Sequence, residues 1–452
     1  MTAKNLFVGC ATGFSGDRTD GTAPVVDTLI ALGGGVLTFE TLAERTLALA
    51  QIEKRKNPLH GYEPLLDDLV SPVLRRCLDH SIKIVSNFGA ANPQAAAQRI
   101  YALARAQGLR RPRIAVVHGD DLTQPEQLQS LLKRLGSNID PARIVSANAY
   151  LGAQQISEAL QDGADIVVTG RVSDPSLTLG PALAHFGWSM DDWHKLGCGT
   201  MAGHMLECGT QVSGGYFCVP GQKPVEGMDR IGFPIAEIDS QGNFSVFKAA
   251  NTGGRVDLRT AKEQLLYEVH NPASYLTPDV TADITNATIT ETAANRVRID
   301  GVTGHERPAE LKVNVCYDNG WLCEAEISYA GFKAKERAML AGDTICKRIG
   351  HLIDLRIDII GALSIFGDDA GELAAKGFNA PANDVRLRVA GVHMQKETAE
   401  KVSREVLSLY CCGPAGGGGV RSSIKPRLDT LSCTIPRDFV DAGWTIAQGQ
   451  RT

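Results

Sequence analysis

The sequence predicts an α/β protein with a mainly parallel, Rossmann-like sheet domain, a β-rich middle region and a C-terminal ferredoxin-like α+β domain. Three observations carry this. Strand-then-helix units repeat through the first two hundred residues, which calls for a parallel sheet covered on both faces. The texture changes after Met201 to alternating β signals. The last part runs strand–helix–strand–strand–helix–strand, the ferredoxin-like order. At 452 residues the chain exceeds one ordinary core. The expected division is 1–205, 206–310 and 311–452.

The elements follow in order. Leu6–Cys10 is the first strand, followed by a glycine-bearing turn and a helix over about Ala23–Leu32. Val36–Glu40 leads through Thr41-Leu-Ala-Glu-Arg-Thr46 into a long helix. Ile82–Ser86 precedes Asn87-Phe-Gly-Ala-Ala-Asn-Pro93 and the helix Gln94–Gln107. Ile114–Val117 ends at His118-Gly-Asp-Asp121, and Arg143–Ser146 ends at Asn148-Ala-Tyr150. The sixth strand, Ile166–Thr169, opens onto Gly-Arg-Val-Ser-Asp-Pro-Ser176. Further on, Ile235–Phe247 alternates about a Gln-Gly turn and reads as a hairpin, and a short helix spans Ala261–His270. Leu311–Tyr317 and Cys323–Tyr329 flank the turn Asp-Asn-Gly320. A helix (Lys333–Gly350), strands Arg356–Leu363 and Val385–Val392, the helix Lys396–Leu409 and a β segment near Leu428–Thr434 complete the chain.

In the first domain each strand hands over to a loop rich in polar residues or glycine, whereas the segments preceding the strands are ordinary. Ligands of open α/β sheets bind outside the carboxyl ends of the strands. The asymmetry therefore places the chemistry on one rim. Arg171, Ser173 and Asp174 form its centre, with Pro175 stiffening the loop. The plainer alternative is a local Arg171–Asp174 pair and a proline that starts a helix.

Composition narrows the function classes. A net charge of -5 and the absence of a dense Lys/Arg run argue against a nucleic-acid partner. No apolar run approaches the roughly 20 residues of a membrane span, and the N-terminus reads as a first strand and no signal peptide. Eleven cysteines without C-x-x-C or chelate spacing suggest reduced thiols in a cytoplasm, and no metal site.

Gly9, Gly13 and Gly16 after the first strand let backbone N–H groups approach an anion. The spacing is not the dinucleotide fingerprint, although Glu40 stands where a ribose-binding acid would. The stretch Gly13, Ser15, Gly16, Asp17, Arg18 is thus a candidate carboxylate or phosphate nest, or simply a tight turn. His204, Glu207 and Cys208 fall at i, i+3 and i+4, on one face of a helix. Glu207 could orient the imidazole, which could act as a base or deprotonate Cys208; a buried structural trio is the alternative. Asn87 offers an amide to a ligand, while Asn92 before Pro93 is explained as a helix cap. The glycine-dense loop after Cys411 is either a lid or a link.

Gly-Phe-Ser-Gly-Asp-Arg18, Thr-Leu-Ala-Glu-Arg-Thr46, Asn-Phe-Gly-Ala-Ala-Asn-Pro93, Gly-Arg-Val-Ser-Asp174, Gly-His-Met-Leu-Glu-Cys-Gly209 and Ile-Gly-Phe-Pro-Ile-Ala-Glu237 occur together and in order. Jointly they resemble the acyclic terpene utilisation AtuA family. The resemblance implies a part in the catabolism of citronellol- and geraniol-type acids through CoA thioesters. It fixes no reaction.

The expected activity is acid–base chemistry of hydration/dehydration or lyase type on a small carboxylic acid or an acyl-CoA thioester. Arg18, Arg45, Arg171 or Asn87 would hold a carboxylate or phosphate, with Glu44 beside them. Asp174, or the His204–Glu207 pair, would move the proton. Such a reaction needs no redox cofactor. Two alternatives stay open: a hydrolase or acyl transferase with Cys208 as nucleophile and His204 as base, and a non-catalytic ligand-binding subunit. A homo-oligomer is the default expectation.

Overall fold

The computed structural model describes residues 5–136, 139–363 and 382–448. The protein is mixed α/β with several sheets and divides into two compact units. The first unit holds residues 1–316 and 430–452, the second 317–429.

The first unit is built on a long sheet. Its centre is a parallel run of five strands: β1 (Leu6–Cys10), β2 (Val36–Phe39), β3 (Lys83–Ser86), β6 (Ile166–Val168) and β4 (Ile114–His118), in that spatial order. The strands are short, apolar and almost wholly buried, as a sheet covered by helices on both faces requires. The region expected to pack beside this sheet instead extends it. The predicted hairpin forms as β7 (Pro234–Ile238) and β8 (Phe244–Lys248), with β7 antiparallel to β1. β12 (Arg296–Asp300) and β11 (Thr288–Ala293) continue outward from β8. At the opposite edge the C-terminal β18 (Gly443–Ile446) returns antiparallel to β4. A small sheet of β9 (Tyr275–Leu276), β10 (Thr281–Asp283) and β13 (Thr303–His305) packs on helix α9 (Trp193–Glu207).

The fifth predicted strand, β5 (Ile144–Ala149), stands outside the main sheet and pairs with β14 (Glu310–Ala330). β14 also replaces two strands and a turn expected over 311–329. Its first residues pair with β5 and its residues Trp321–Ala330 pair with β16 (Asp384–His393), so its halves never face each other as hairpin arms. In the second unit the chain order is the expected one. β14 is followed by α11 (Ala334–Ile349), β15 (Asp354–Ile360), β16, α12 (Lys396–Ala399) with α13 (Lys401–Cys412), and β17 (Gly418–Pro436). The sheet order is β15-β16-β14-β17. The glycine-dense loop packs on its own unit: a side chain at Gly417 would meet Ile327 and Tyr329, and Arg337 donates to the Ala415 carbonyl. No described helix is long and apolar enough to cross a membrane.

Candidate functional site

The carboxyl ends of three of the parallel strands, β1, β2 and β6, face a common cavity. The loops after β1, β2 and β6 open onto a cavity of about 720 Å³, whose lining includes Gly13, Asp17, Glu40, Glu44, Tyr150, Arg171, Asp174 and Glu207. That volume suits a small-molecule ligand. β5 contributes Tyr150, the residue that follows its last, and the first residues of β14 bring Lys312.

Arg171 is the anchor of the site and is 2 % exposed. Its guanidinium donates to the carbonyls of Leu42 and Val172 and to Asp174, and it lies 4.6 Å over the Tyr150 ring. A buried cation needs this many partners to remain charged. Four of its five N–H donors are thus spent on the protein. The local Arg171–Asp174 pair and the helix start at Pro175, before α8 (Ser176–Phe186), are both present. Asp174 nevertheless faces the cavity, with its side chain about 36 % exposed. Burial pushes its carboxyl up, and the Arg171 guanidinium pulls against that. Ser173 is buried, its N–H donating to Leu151.

Glu40 closes the floor beside Asp174. One carboxyl oxygen accepts from the Leu42 N–H at 3.0 Å and the Asn87 amide at 2.7 Å. Burial first, and the Asp174 charge second, raise its pKa to about 8. Glu40 thus favours its protonated form near neutral pH, while the ion pair with Arg171 favours the charged form of Asp174 against its burial. Asn87, expected to touch a ligand, lies wholly buried instead. Its oxygen takes the Thr41 N–H and its amide supports Glu40, so it orients a cavity residue from beneath.

Glu44, in the first turn of α2 (Glu44–Lys56), accepts from the Tyr150 hydroxyl and meets Lys312 at 3.3 Å. Burial raises its pKa, but Tyr150, Lys312 and Arg171 outweigh it and leave the carboxyl below its usual range. Arg45, one residue on, is exposed on the helix and does not line the cavity. Arg18 is likewise off the lining and pairs with Asp20.

The glycine turn after β1 is filled from within. The Asp17 carboxylate accepts from the Gly13 N–H at 2.8 Å and the Arg18 N–H at 2.7 Å, so the expected anion nest already holds an anion. Gly13 is required for another reason: a Cβ there would sit 2.6 Å from the Cys208 carbonyl carbon. Ser15 bonds to Glu63, and Gly16 takes a positive φ of 91° that favours glycine.

The trio at the end of α9 is helical, but it is no nucleophile–base dyad. His204 is fully buried; its Nδ1 lies 2.9 Å from Glu207 Oε1 and its Nε2 2.9 Å from the Gln264 carbonyl. Both ring nitrogens are thus engaged away from Cys208. Burial, then the Glu207 charge, push the Cys208 thiol far up, against the thiolate that attack demands. Glu207 and Cys208 line the cavity, with Glu268 and Tyr275 close by.

Sequence reasoning did not single out Tyr150, Glu268, Tyr275 or Lys312 as site residues and treated Glu40 only as a ribose acid. Among the described residues no group of three or more His, Cys, Asp or Glu is placed to hold a metal ion. Carboxyls outnumber cations around the cavity, and both lining cations, Arg171 and Lys312, are paired. No curated protein and no solved structure matches the chain. The model of the acyclic terpene utilisation family protein AtuA matches residues 6–446. That span takes in every loop that builds the cavity, and the chain belongs to the AtuA family.

Proposed function

We propose that this protein is an acid–base enzyme of hydration/dehydration or lyase type acting on an acyl thioester. The observation that carries the reading is the pair Glu40 and Asp174. They are two carboxyls on one cavity, one kept neutral by burial and its neighbour's charge, the other paired with the Arg171 guanidinium, which favours its charged form. Environments that push two carboxyls apart assign an acid and a base. Glu40 donates its proton in a hydrogen bond to the thioester carbonyl oxygen, where charge develops. Asp174 takes the proton from the adjacent carbon. The electron pair of that C–H bond becomes the enolate and, in an elimination, the new double bond.

A thioester suits the cavity better than the free acid. A carboxylate would need an uncommitted cation, and the two lining cations are paired. Membership of the family suggests a role in acyclic terpene utilisation, so branched acyl chains are the first candidates. We also read the first unit as Rossmann-like and the second as ferredoxin-like, which the parallel run and the order β15-β16-β14-β17 support.

The test is solvent-deuterium incorporation next to the carbonyl of a panel of branched acyl-CoA thioesters and their free acids, followed by mass spectrometry. Exchange should occur in the thioesters and fall by about 10²–10⁴ in Asp174→Asn and Glu40→Gln. Undiminished turnover in both variants, or turnover of the free acids alone, would overturn the reading.

A further inference from the structure

Beneath the cavity, geometry fixes a proton count. The His204 Nε2 faces a backbone carbonyl, which only accepts, so Nε2 must carry a hydrogen. The Nδ1···Glu207 Oε1 contact at 2.9 Å then needs one further proton between two acceptors. Imidazolium with carboxylate, or imidazole with carboxylic acid, supplies it. Removing it would set two lone pairs against each other in a site that is 0 % exposed at His204. Adding a proton is different: it can go to Glu207 Oε2 and break nothing. Oε2 is buried, has no partner among the described residues and belongs to a residue that lines the cavity. A buried carboxylate oxygen without a donor costs of the order of 1–3 kcal/mol unless something in the cavity supplies one. The ring is held in place by Gln264, whose side-chain amide donates back to the His204 carbonyl at 2.9 Å. Asp174, Glu268, Tyr275 and Cys208 surround the pair, and two of these are carboxyls that favour an extra positive charge.

We propose that Glu207 is a substrate-touching general base whose Oε2 takes a proton from a water or hydroxyl in the cavity, with His204 as the positioning residue that keeps it ionised. In the hydration direction the water O–H bond breaks and an O–H bond forms on Oε2. The freed oxygen pair attacks the carbon one position beyond the carbon served by Asp174, and the double-bond pair moves into the enolate. That pair then takes, at the carbon next to the carbonyl, a proton from Asp174, which carries it in this direction and regains it from solvent. In the reverse direction the protonated Oε2 gives its proton to the departing hydroxyl. The assignment rests on the acid–base reading above and divides the labour: Asp174 and Glu40 serve the carbonyl side, Glu207 the oxygen.

The test has two arms. In ¹⁵N-histidine-labelled protein without substrate, the His204 ring signals (identified by their loss in His204→Gln) should show Nε2 protonated throughout pH 6–9 and Nδ1 sharing its proton with Glu207. Glu207→Gln should convert the ring to an ordinary neutral tautomer. A ring whose spectrum ignores Glu207→Gln would overturn the inference even if the enzyme reading stands. In the second arm, the hydration rate should rise with pH through an apparent pKa of about 7. Glu207→Gln should abolish that limb, and His204→Gln should move it to higher pH, because the imidazolium no longer holds Glu207 ionised. A variant that loses rate without moving the limb would reduce His204 to a structural residue and defeat the proposal.

Discussion

Replacing Glu40 with glutamine tests the electrostatics of the floor without needing a substrate. Glutamine keeps the acceptor that Leu42 and Asn87 use and mimics the neutral acid. The carboxyl rises from 4.5 in an unfolded chain to about 8 here, burial leading and the Asp174 charge second. At about 1.4 kcal/mol per pKa unit this is on the order of 5 kcal/mol. A raised carboxyl binds its proton more tightly in the folded state. Its favourable contribution is therefore complete below pH 4.5 and lost as pH climbs through 8. Glu40→Gln carries no such loss. Thermal unfolding of the two proteins should give nearly equal Tm at pH 4.5–5 and a clearly higher Tm for the variant at pH 8.5–9. Adding Asp174→Asn to wild type should recover part of the same gain at high pH. A Tm difference that does not change with pH would refute the claim that Glu40 is held neutral.

Other outcomes follow from the same geometry. Arg171→Leu removes the partner of Asp174 and the donor to two carbonyls, and should destabilise by about 3–5 kcal/mol, seen as a lowered Tm. Cys208→Ser should leave turnover within a few-fold, and alkylating reagents should label Cys208 slowly at neutral pH, because its thiol is far from ionised; complete loss of turnover would restore the nucleophile reading. Gly13→Ala should cost about 1–3 kcal/mol of stability, measured by thermal unfolding, since its Cβ would meet the Cys208–Gly209 backbone within 2.9 Å.

Much of the frame was legible because it is written locally. Alternating strand and helix signals fixed the parallel core, the Asn92–Pro93 cap starts its helix as expected, and i, i+3 spacing put His204 beside Glu207. The crowding of polar residues falls on the side of the strands where the cavity lies. What stayed hidden depends on distant partners. Nothing around Ile144–Ala149 reveals that β5 leaves the main sheet for a strand some 160 residues later, yet that pairing places Tyr150 and Lys312 together. Glu40 reads as an ordinary strand-end acid until Asn87 supports it and Asp174 faces it. The glycine turn after β1 misled for the opposite reason: it has the shape of an anion site, and Asp17, four residues on, supplies the anion.

A crystal structure with a branched acyl-CoA thioester bound, or with its unreactive thioether analogue, bears most directly on the account. The carbonyl oxygen should accept from Glu40, with the neighbouring carbon against Asp174 and the acyl chain running into the cavity. A ligand lying outside the cavity, or a free carboxylate displacing Asp174 from Arg171, would contradict it.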